Sequence, residues 1–384
     1  MQWARAALVV LGIVLEIFVS TKALATAPAG PKTWPAWQQF QAQFVSADGR
    51  VIDQGSAAHI TTSEGQAYGM FFALVANDRA GFERLLTWTT GNLAGGDLAT
   101  RLPAWQWGQR ADGTWGVIDS TPASDADLWM AYTLAEAGRL WKHPPYARLS
   151  CALAARIVEE ETAVLPLLGH VMLPGPKAFY LPDGVVRLNP SYTPIQLLRR
   201  MATLYPESSW NQITSGSISL LRRSADKGYF PDWVLYKEQA GFMPDVEKRG
   251  VGGYDAIRVY LWAGMLDKSD PMRAELIKKS DAIIQHIVQQ GVPPLEADTV
   301  NGTVHGYGPI GFSSALLPLL AAYDRKPLLQ QQYLRVVNAA PLERSNNYYE
   351  QVLTLFSLGW LERWYQFDAG GALQPAWLYP QSRQ

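Results

Sequence analysis

Three short segments each place an acidic residue among glycine, serine and aromatic residues at the start of an apolar stretch. Glu64 lies in SEGQAYGM (63–70), Asp125 and Asp127 lie in ASDADLWMA (123–131), and Asp255 lies in GGYDAIR (252–258). Acidic residues in a first helical turn commonly cap free N–H groups, which accounts for any one of these segments. Three of them at one end of a fold indicate general acid–base chemistry by carboxyl groups instead.

Carboxyl groups in such an arrangement suit the cleavage of a glycosidic bond. That reaction needs a protonated acid at the leaving oxygen and an ionised carboxylate elsewhere in the site. A helix N-terminus favours the charged form of Glu64, so this residue keeps a proton near neutral pH only if aromatic side chains desolvate it or another carboxylate lies close by. We expect Asp125 to be that neighbour.

The sequence lacks the motifs of several other chemistries. No two of the five histidines lie at metal-ligand spacing, and the chain has no GxSxG, GxxxxGK[ST] or strand-associated GxGxxG motif. A single cysteine, Cys151, excludes an intramolecular disulfide and a cysteine-rich metal site. With a formal net charge of −1 and no basic run, the chain has no footprint for nucleic acid. We therefore expect no metal, no cofactor and no nucleic-acid partner.

The aromatic content suggests a ligand with flat apolar faces and polar edges, such as a sugar. The 384 residues include 15 Trp, 17 Tyr and 12 Phe. A cleft for a neutral polysaccharide needs stacking aromatics and hydrogen bonds but no charge field, which agrees with the charge balance. Core packing is the alternative for each aromatic residue alone. Our candidate sugar platforms are Trp105, Trp107, Tyr180 and Trp262, and the Trp105-Gln106-Trp107 segment is the strongest of them.

The first 25 residues are typical of a secretory signal peptide. Arg5 precedes an apolar stretch over 6–19, and ALA at 23–25 supplies small residues for cleavage. We expect the mature chain to begin near Thr26 and the protein to be periplasmic or secreted, with no membrane span after cleavage. The stretch is shorter than the about 20 residues of a membrane span. Glu16 within it leaves an uncleaved anchor as the alternative.

Helical periodicity dominates the chain from about Trp34 onward. The spacing predicts helices over Trp34–Phe44, Gly65–Asn77, Ala80–Leu93, Asp125–Trp141, Tyr146–Glu160, Pro194–Leu204, Trp210–Ala225, Tyr254–Gly264, Met272–Gln290, Gly311–Tyr323, Leu328–Ala339 and Tyr348–Glu362. Short strands are predicted in the connections, at 115–119 and 184–187. No linker divides the chain, so residues 26–384 are predicted to form one all-α domain. No motif recurs at a solenoid period, which favours closure of six helix pairs into an (α/α)6 barrel.

The acidic segments, taken together, resemble glycoside hydrolase family 8. The resemblance rests on SEGQAYGM (63–70), on ASDAD (123–127) with EAGRLW (136–141), and on YDAIR (254–258). It extends to LNPSY (188–192), PIGFS (309–313) and the tyrosine pair at 348–349, so it covers essentially the mature chain. It is greatest to the exported endo-1,4-β-glucanases that accompany bacterial cellulose synthases. This resemblance implies an (α/α)6 barrel, an inverting mechanism, a β-1,4-glucan as substrate and cellulose synthase machinery as a partner.

The resemblance also implies roles for individual residues. By motif position Glu64 is the proton donor, and Asp255 is the base that activates water. Asp125 corresponds to the aspartate that holds the sugar at the cleavage subsite. Tyr192 resembles the tyrosine that helps to position the water, and Arg258 resembles the electrostatic partner of the base. Asp127 is a further candidate for substrate binding, with helix capping as the alternative.

Two other interpretations stay open from the sequence. The chain could be a catalytically weak glucan-binding barrel that serves a cellulose synthase, although Glu64, Asp125 and Asp255 are all present. A xylanase or chitosanase of the same family would share the chemistry and differ in its subsites. We expect an endoglucanase that acts as a monomer.

Overall fold

A computed structural model describes residues 33–176, 179–344 and 346–379, and fourteen α-helices lie within these ranges. In chain order they are α1 Pro35–Phe44, α2 Ser63–Val75, α3 Arg79–Asn92, α4 Ser124–Leu140, α5 Pro144–Glu160, α6 Ile195–Leu204, α7 Trp210–Arg223, α8 Ile257–Gly264, α9 Pro271–Lys279, α10 Asp281–Gln290, α11 Ile310–Ala322, α12 Lys326–Ala339, α13 Pro341–Arg344 and α14 Tyr348–Leu361. None of these helices combines the length and apolarity needed to cross a bilayer. The predicted signal peptide, residues 1–25, lies outside the described residues.

The helices form an inner and an outer ring, as predicted for an (α/α)6 barrel. Helices α2, α4, α6, α8, α11 and α14 pack side by side in chain order and form the inner ring. The ring closes where Phe356 of α14 packs on Phe71 and Phe72 of α2, with ring centroids 5.6 and 4.7 Å apart. Helices α3, α5, α7 and α12 each pack outside the inner helix that precedes them, and α9 packs on α8. A barrel of this design explains why the inner helices are apolar on nearly every face.

Short antiparallel strands occupy the connections between helices. They are β1 Thr61–Thr62, β2 Gln106–Gln109, β3 Trp115–Asp119, β4 Thr162–Leu165, β5 Gly169–Met172, β6 Tyr180–Leu181, β7 Val185–Leu188, β8 Val234–Lys237, β9 Gly241–Pro244, β10 Val251–Gly252, β11 Pro294–Asp298, β12 Val304–Tyr307, β13 Tyr365–Phe367 and β14 Leu373–Pro375. They form the sheets β1-β2-β3, β4-β5, β6-β7-β8-β9, β10-β11-β12 and β13-β14. Strands β1, β7 and β10 lead toward the N-terminal ends of α2, α6 and α8, so the three sheets that contain these strands lie at one end of the barrel.

Most predicted helix boundaries lie within three residues of the observed ones, and two predicted helices differ in ways that bear on the site or the fold. The single helix predicted over Met272–Gln290 is two helices, α9 and α10, which meet at a turn at Ser280. The helix predicted to begin at Tyr254 begins at Ile257, so Asp255 lies in the turn before α8 rather than on the helix. This turn follows strand β10 directly, and the side chain of Asp232 holds it by accepting three of its backbone N–H groups.

Candidate active site

Glu64 is the one residue of α2 that is not buried, and it faces a cavity at the N-terminal end of the inner ring. The Oγ1 atom of Thr62 accepts the N–H of Gly65 and so fixes the first turn of the helix. Strand β1 pairs with β2, and the N–H of Ser63 donates to the carbonyl oxygen of Trp105. The cavity, of about 240 Å³, is lined by Val51, Asp53, Ile60, Thr62, Glu64, Gly65, Tyr68, Trp105, Arg258, Tyr348 and Tyr349.

The surroundings of Glu64 favour its protonated form. Desolvation raises the pKa of this carboxyl group, and hydrogen bonding to its own backbone and the charge of Arg258 oppose that rise only in part. The hydroxyl group of Tyr348 is also buried at this cavity and has no hydrogen-bond partner among the described residues. A half-buried carboxyl group in an aromatic pocket has the character of a general acid.

Asp125 lies in the first turn of α4 and is only 2% exposed. Burial, followed by the charge of Glu64, raises its pKa to about 8, against the lowering effect of Arg258. Its Oδ1 atom accepts the N–H of Ala126, while Oδ2 lies 3.6 Å from Nη2 of Arg258. Glu64 and Asp125 therefore influence each other, and the pair retains a proton at a pH where an ordinary carboxyl pair is fully ionised.

Asp127 is fully buried, so the prediction that it binds substrate is wrong. Its carboxyl group faces that of Glu161, which is equally buried, and no other described group donates a hydrogen bond to either one. Desolvation raises the pKa of both residues well above their usual range. Residues two apart in an α-helix lie on nearly opposite sides of the helix. Asp125 therefore points toward the cleft, whereas Asp127 points into the barrel wall.

Arg258 joins the two sides of the site. Its Nη2 atom donates to Oδ1 of Asp255 over 3.0 Å and to Oγ of Ser191 over 2.9 Å, and it also approaches Asp125. Burial opposes the charge of the guanidinium group, but the surrounding acids and tyrosines raise its pKa well above the usual value. Arg258 therefore supplies a permanent positive charge between two aspartates.

Asp255 is the more open of the catalytic candidates, with its side chain 32% exposed. Each carboxylate oxygen accepts a hydrogen bond, Oδ1 from Arg258 and Oδ2 from Nε1 of Trp233, both over 3.0 Å. Donors on both oxygens hold the carboxylate in one orientation, and its exposure leaves room for a water beside it, as a general base requires.

Tyr192 lies between the elements that carry Asp125 and Asp255. It ends a short 3-10 turn, Pro190–Tyr192, and its ring lies 5.6 Å from the guanidinium carbon of Arg258. Burial and then the charges of Asp125, Glu64 and Asp255 raise the pKa of its hydroxyl group well above the usual value. A neutral hydroxyl group beside three acids can hold a water or a sugar hydroxyl.

The Trp105-Gln106-Trp107 segment contributes two different contacts. Trp105 lines the cavity of Glu64. Trp107 packs edge-on against Trp88 and stacks on Trp115 at 5.5 Å, with the guanidinium group of Arg50 4.4 Å from its ring centre. Trp115, at 47% exposure, has the open ring. Trp105 and Trp107 are partly buried, so Trp115 is the most exposed of the three and a further candidate for sugar contact that the sequence did not indicate.

The two remaining aromatic candidates lie in different surroundings. Tyr180 is exposed on β6, so its position is compatible with sugar contact. Trp262 is 4% exposed, packs against Trp129 and Phe356, and donates its indole N–H to the carbonyl oxygen of Ser191. The prediction that Trp262 is a sugar platform is wrong, because α8 is an inner helix and this side chain fills the barrel core.

Sequence reasoning missed Asp232, Trp233 and Glu161 as well as Trp115. Asp232 and Trp233 contact the turn and side chain of Asp255, from which they are more than twenty residues distant in sequence. Glu161 follows the last residue of α5, where an acidic residue is unremarkable in sequence. No local sequence signal marked Asp232 or Trp233 as neighbours of Asp255.

Comparison with known proteins gives one consistent result. The family model for glycosyl hydrolases family 8 matches residues 13–363. An endoglucanase of Escherichia coli O157:H7 is 44% identical over 345 residues, which cover 90% of this chain and 92% of the relative. The crystal structure of endo-1,4-D-glucanase from Vibrio fischeri ES114 is 44% identical and superposes with a TM-score of 0.87 over 90% of this chain and 99% of that one. Endo-β-1,4-glucanase CMCax from Acetobacter xylinum, at 25% identity, gives 0.71 over 85% and 97%.

Proposed function

The chain belongs to glycoside hydrolase family 8, and we propose that it is an endo-β-1,4-glucanase that hydrolyses internal bonds of a cellulose-like glucan. The observation that carries the proposal is the pairing of a desolvated Glu64 with a hydrogen-bonded, half-exposed Asp255 on either side of Arg258. The endoglucanase relatives cover nine-tenths of this chain at 44% identity. This coverage supports carrying the activity over to the chain as a whole.

In the mechanism that we propose, Glu64 gives its proton to the glycosidic oxygen as the bond to the anomeric carbon breaks. Asp255 takes a proton from a water that attacks this carbon from the opposite face. The attack inverts the configuration, and no covalent sugar–enzyme intermediate forms. Asp125 holds the sugar at the point of cleavage, while Tyr192 helps to hold the water. Arg258 holds the carboxylate of Asp255 in place through a hydrogen bond to Oδ1.

A catalytically weak glucan-binding barrel is the second candidate that the sequence left open. Such a protein needs no proton donor. The combination of Glu64, Asp125 and Asp255 around one arginine favours the enzyme.

The substrate is tested by a reducing-sugar assay on carboxymethylcellulose, xylan and chitosan, with viscosity measured in parallel. An endoglucanase lowers the viscosity of carboxymethylcellulose long before reducing ends accumulate. Preference for xylan or chitosan would overturn the substrate class, and binding of cellulose oligosaccharides without turnover would favour the binding protein.

We further propose that the protein is exported as a monomer and acts beside a cellulose synthase. The pattern of Arg5, the apolar stretch and ALA (23–25) supports export. Cell fractionation with N-terminal sequencing of the mature chain tests export, and light scattering tests the monomer. Cytoplasmic retention of the intact chain would contradict the first claim, and a dimer would contradict the second.

A further inference from the structure

The segment before β8 runs close against the turn that carries Asp255. The N–H of Asp232 donates to the carbonyl oxygen of Val251 over 2.9 Å. A Cβ atom at Gly252 would lie 1.9 Å from the carbonyl oxygen of Phe230, so only glycine permits this approach. The two segments are therefore held in one arrangement by their backbones.

Asp232 binds the backbone of the Asp255 turn. Its Oδ1 atom accepts the N–H groups of Gly253, Asp255 and Ala256 over 2.7, 3.0 and 2.7 Å. Three donors on one carboxylate oxygen fix the turn immediately before α8. Burial, followed by the charge of Asp255, raises the pKa of Asp232 to about 6, and the three N–H groups oppose this rise. Asp232 and Asp255 thus interact as like charges at neutral pH.

Trp233 binds the side chain of the same residue. Its Nε1–H donates to Oδ2 of Asp255 over 3.0 Å. The indole ring is itself fixed, because Phe179 stacks on it at 5.8 Å, Tyr192 packs edge-on at 5.9 Å, and the guanidinium group of Arg187 lies 4.5 Å from its centre. With Arg258 on Oδ1, both oxygens of Asp255 have a donor, which fixes the plane of the carboxylate.

We propose that Asp232 and Trp233 act as a two-residue clamp that positions Asp255: Asp232 holds its backbone and Trp233 orients its carboxylate toward the attacking water. The clamp rests on the proposed role of Asp255 as the base. Neither residue touches the reacting atoms, so both are positioning residues. Their effect is to keep one orientation of the base populated without any reorganisation during the reaction.

The substitution Trp233→Phe tests the orienting half of the clamp. Phenylalanine keeps an aromatic ring for Phe179, Tyr192 and Arg187 but lacks the indole donor. We expect kcat on a soluble cellulose derivative to fall about tenfold, the size expected for losing one hydrogen bond to a charged group. Removing a donor from a carboxylate disfavours its ionised form. The acid limb of the pH profile of kcat/KM should therefore move to higher pH by about one unit.

A matched control is Trp141→Phe, which removes the indole hydrogen bond to Oδ1 of Asn77 at a distance from the cleft. It should leave both kcat and the acid limb unchanged.

The charged groups that face Asp255 are Arg258, Asp232 and, across Arg258, Asp125. None of them is altered in Trp233→Phe, so a moved limb reports the lost indole donor.

Substitutions of Asp232 test the backbone half. Asp232→Asn keeps an acceptor for the three N–H groups and removes a negative charge beside Asp255, so kcat should stay within about threefold and the acid limb should move down. Asp232→Ala removes the acceptor and should lower kcat about a hundredfold, or prevent folding. Asp368→Asn, in a turn where Oδ1 accepts the N–H groups of Gly370 and Ala372, is the matched control without effect on the limb.

Asp255→Asn, measured beside these variants, separates the clamp from the proposed function. If Asp255→Asn is inactive while Trp233→Phe keeps the wild-type kcat and acid limb, the clamp is wrong and the base assignment stands. The same conclusion follows if Asp232→Ala folds and keeps the wild-type kcat. If Asp255→Asn retains activity, the proposed function fails, and the clamp fails with it.

Discussion

The two sides of the cleft present the same functional group in opposite surroundings. Glu64 lies in the first turn of a helix, half-buried among aromatic side chains and beside the buried Asp125. Asp255 lies in a turn, more open to solvent, with a donor on each oxygen. Desolvation and like charge favour a proton on the first side, whereas the second side offers a carboxylate that is open to solvent and held by two donors. The contrast shows that environment, rather than residue type, assigns the acid and the base.

Loss of either carboxyl group should have the largest effect on activity. We expect Glu64→Gln and Asp255→Asn each to lower kcat by about 10²- to 10⁴-fold on unactivated glucan, the usual contribution of general acid–base catalysis. The two sides can then be told apart with an aryl β-cellobioside whose leaving group needs no protonation. This substrate should restore much of the rate of Glu64→Gln and none of that of Asp255→Asn. Equal recovery of both variants would break the comparison.

Asp125→Asn should affect only the side of the cleft that carries Glu64, the acid side, and not the side that carries Asp255, the base side. Asp125 and Glu64 are coupled, so the loss of a negative charge makes ionisation of Glu64 easier and lowers its pKa. We expect kcat to fall by at least about tenfold because the sugar is held less well, and the basic limb of the pH profile to move to lower pH. The acid limb, which belongs to Asp255, should move less. A shift confined to the acid limb would contradict this assignment.

The buried pair of Asp127 and Glu161 should make the acid side of the barrel sensitive to pH. Their pKa values, like that of Asp125, are raised in the folded chain, so the folded state binds protons more tightly than the unfolded state. Stability should therefore be greatest at low pH within the folded range and decline as the pH rises from near the ordinary carboxyl values toward about 8.

Glu161→Gln tests that expectation. The amide can donate to Asp127 and carries no charge, so the melting temperature of the variant should fall less steeply than that of the wild type between pH 5 and 8. Glu136→Gln is the matched control, because Glu136 is equally buried but paired with Arg139 and Arg200. Breaking that network should destabilise the barrel at every pH. Parallel melting curves for Glu161→Gln and the wild type would contradict the prediction.

The smallest effect is expected at the aromatic edge of the acid side. Trp115→Ala should weaken the binding of long oligosaccharides roughly three- to tenfold, the range of one stacking contact, with little change in melting temperature. Trp107→Ala should lower stability instead, because Trp107 is packed among Trp88, Trp115 and Arg50. Isothermal titration with cellohexaose, together with thermal denaturation, distinguishes the two. Unchanged affinity in Trp115→Ala would remove this residue from the substrate path.

The acid side could be predicted from sequence to a greater extent than the base side. Glu64 and Asp125 precede long apolar helices, so periodicity alone places both at helix starts. Asp255 was predicted on a helix, but α8 begins only at Ile257, and Asp255 lies in the preceding turn, which long-range hydrogen bonds join to Asp232. Such bonds join segments that are distant in sequence and leave no local periodicity.

Burial was harder to predict than secondary structure. Trp262 and Asp127 both lie on the correct helices, but their side chains point into the barrel. For Trp262 a signal existed, since α8 has no polar face apart from Arg258, and a helix apolar all round is buried all round. For Asp127 none existed, because the pairing with Glu161 brings together the start of one helix and the end of the next.

The most direct test of the division between acid and base is the stereochemistry of the product. If Glu64 protonates the leaving oxygen while Asp255 activates a water, a β-linked glucan must release its new reducing end first as the α-anomer. Proton NMR of the wild-type enzyme acting on cellohexaose, recorded before mutarotation, reports the anomer. We predict an early α signal that later relaxes toward the equilibrium mixture. An early β signal would contradict inversion and the assignment of Asp255 as the base.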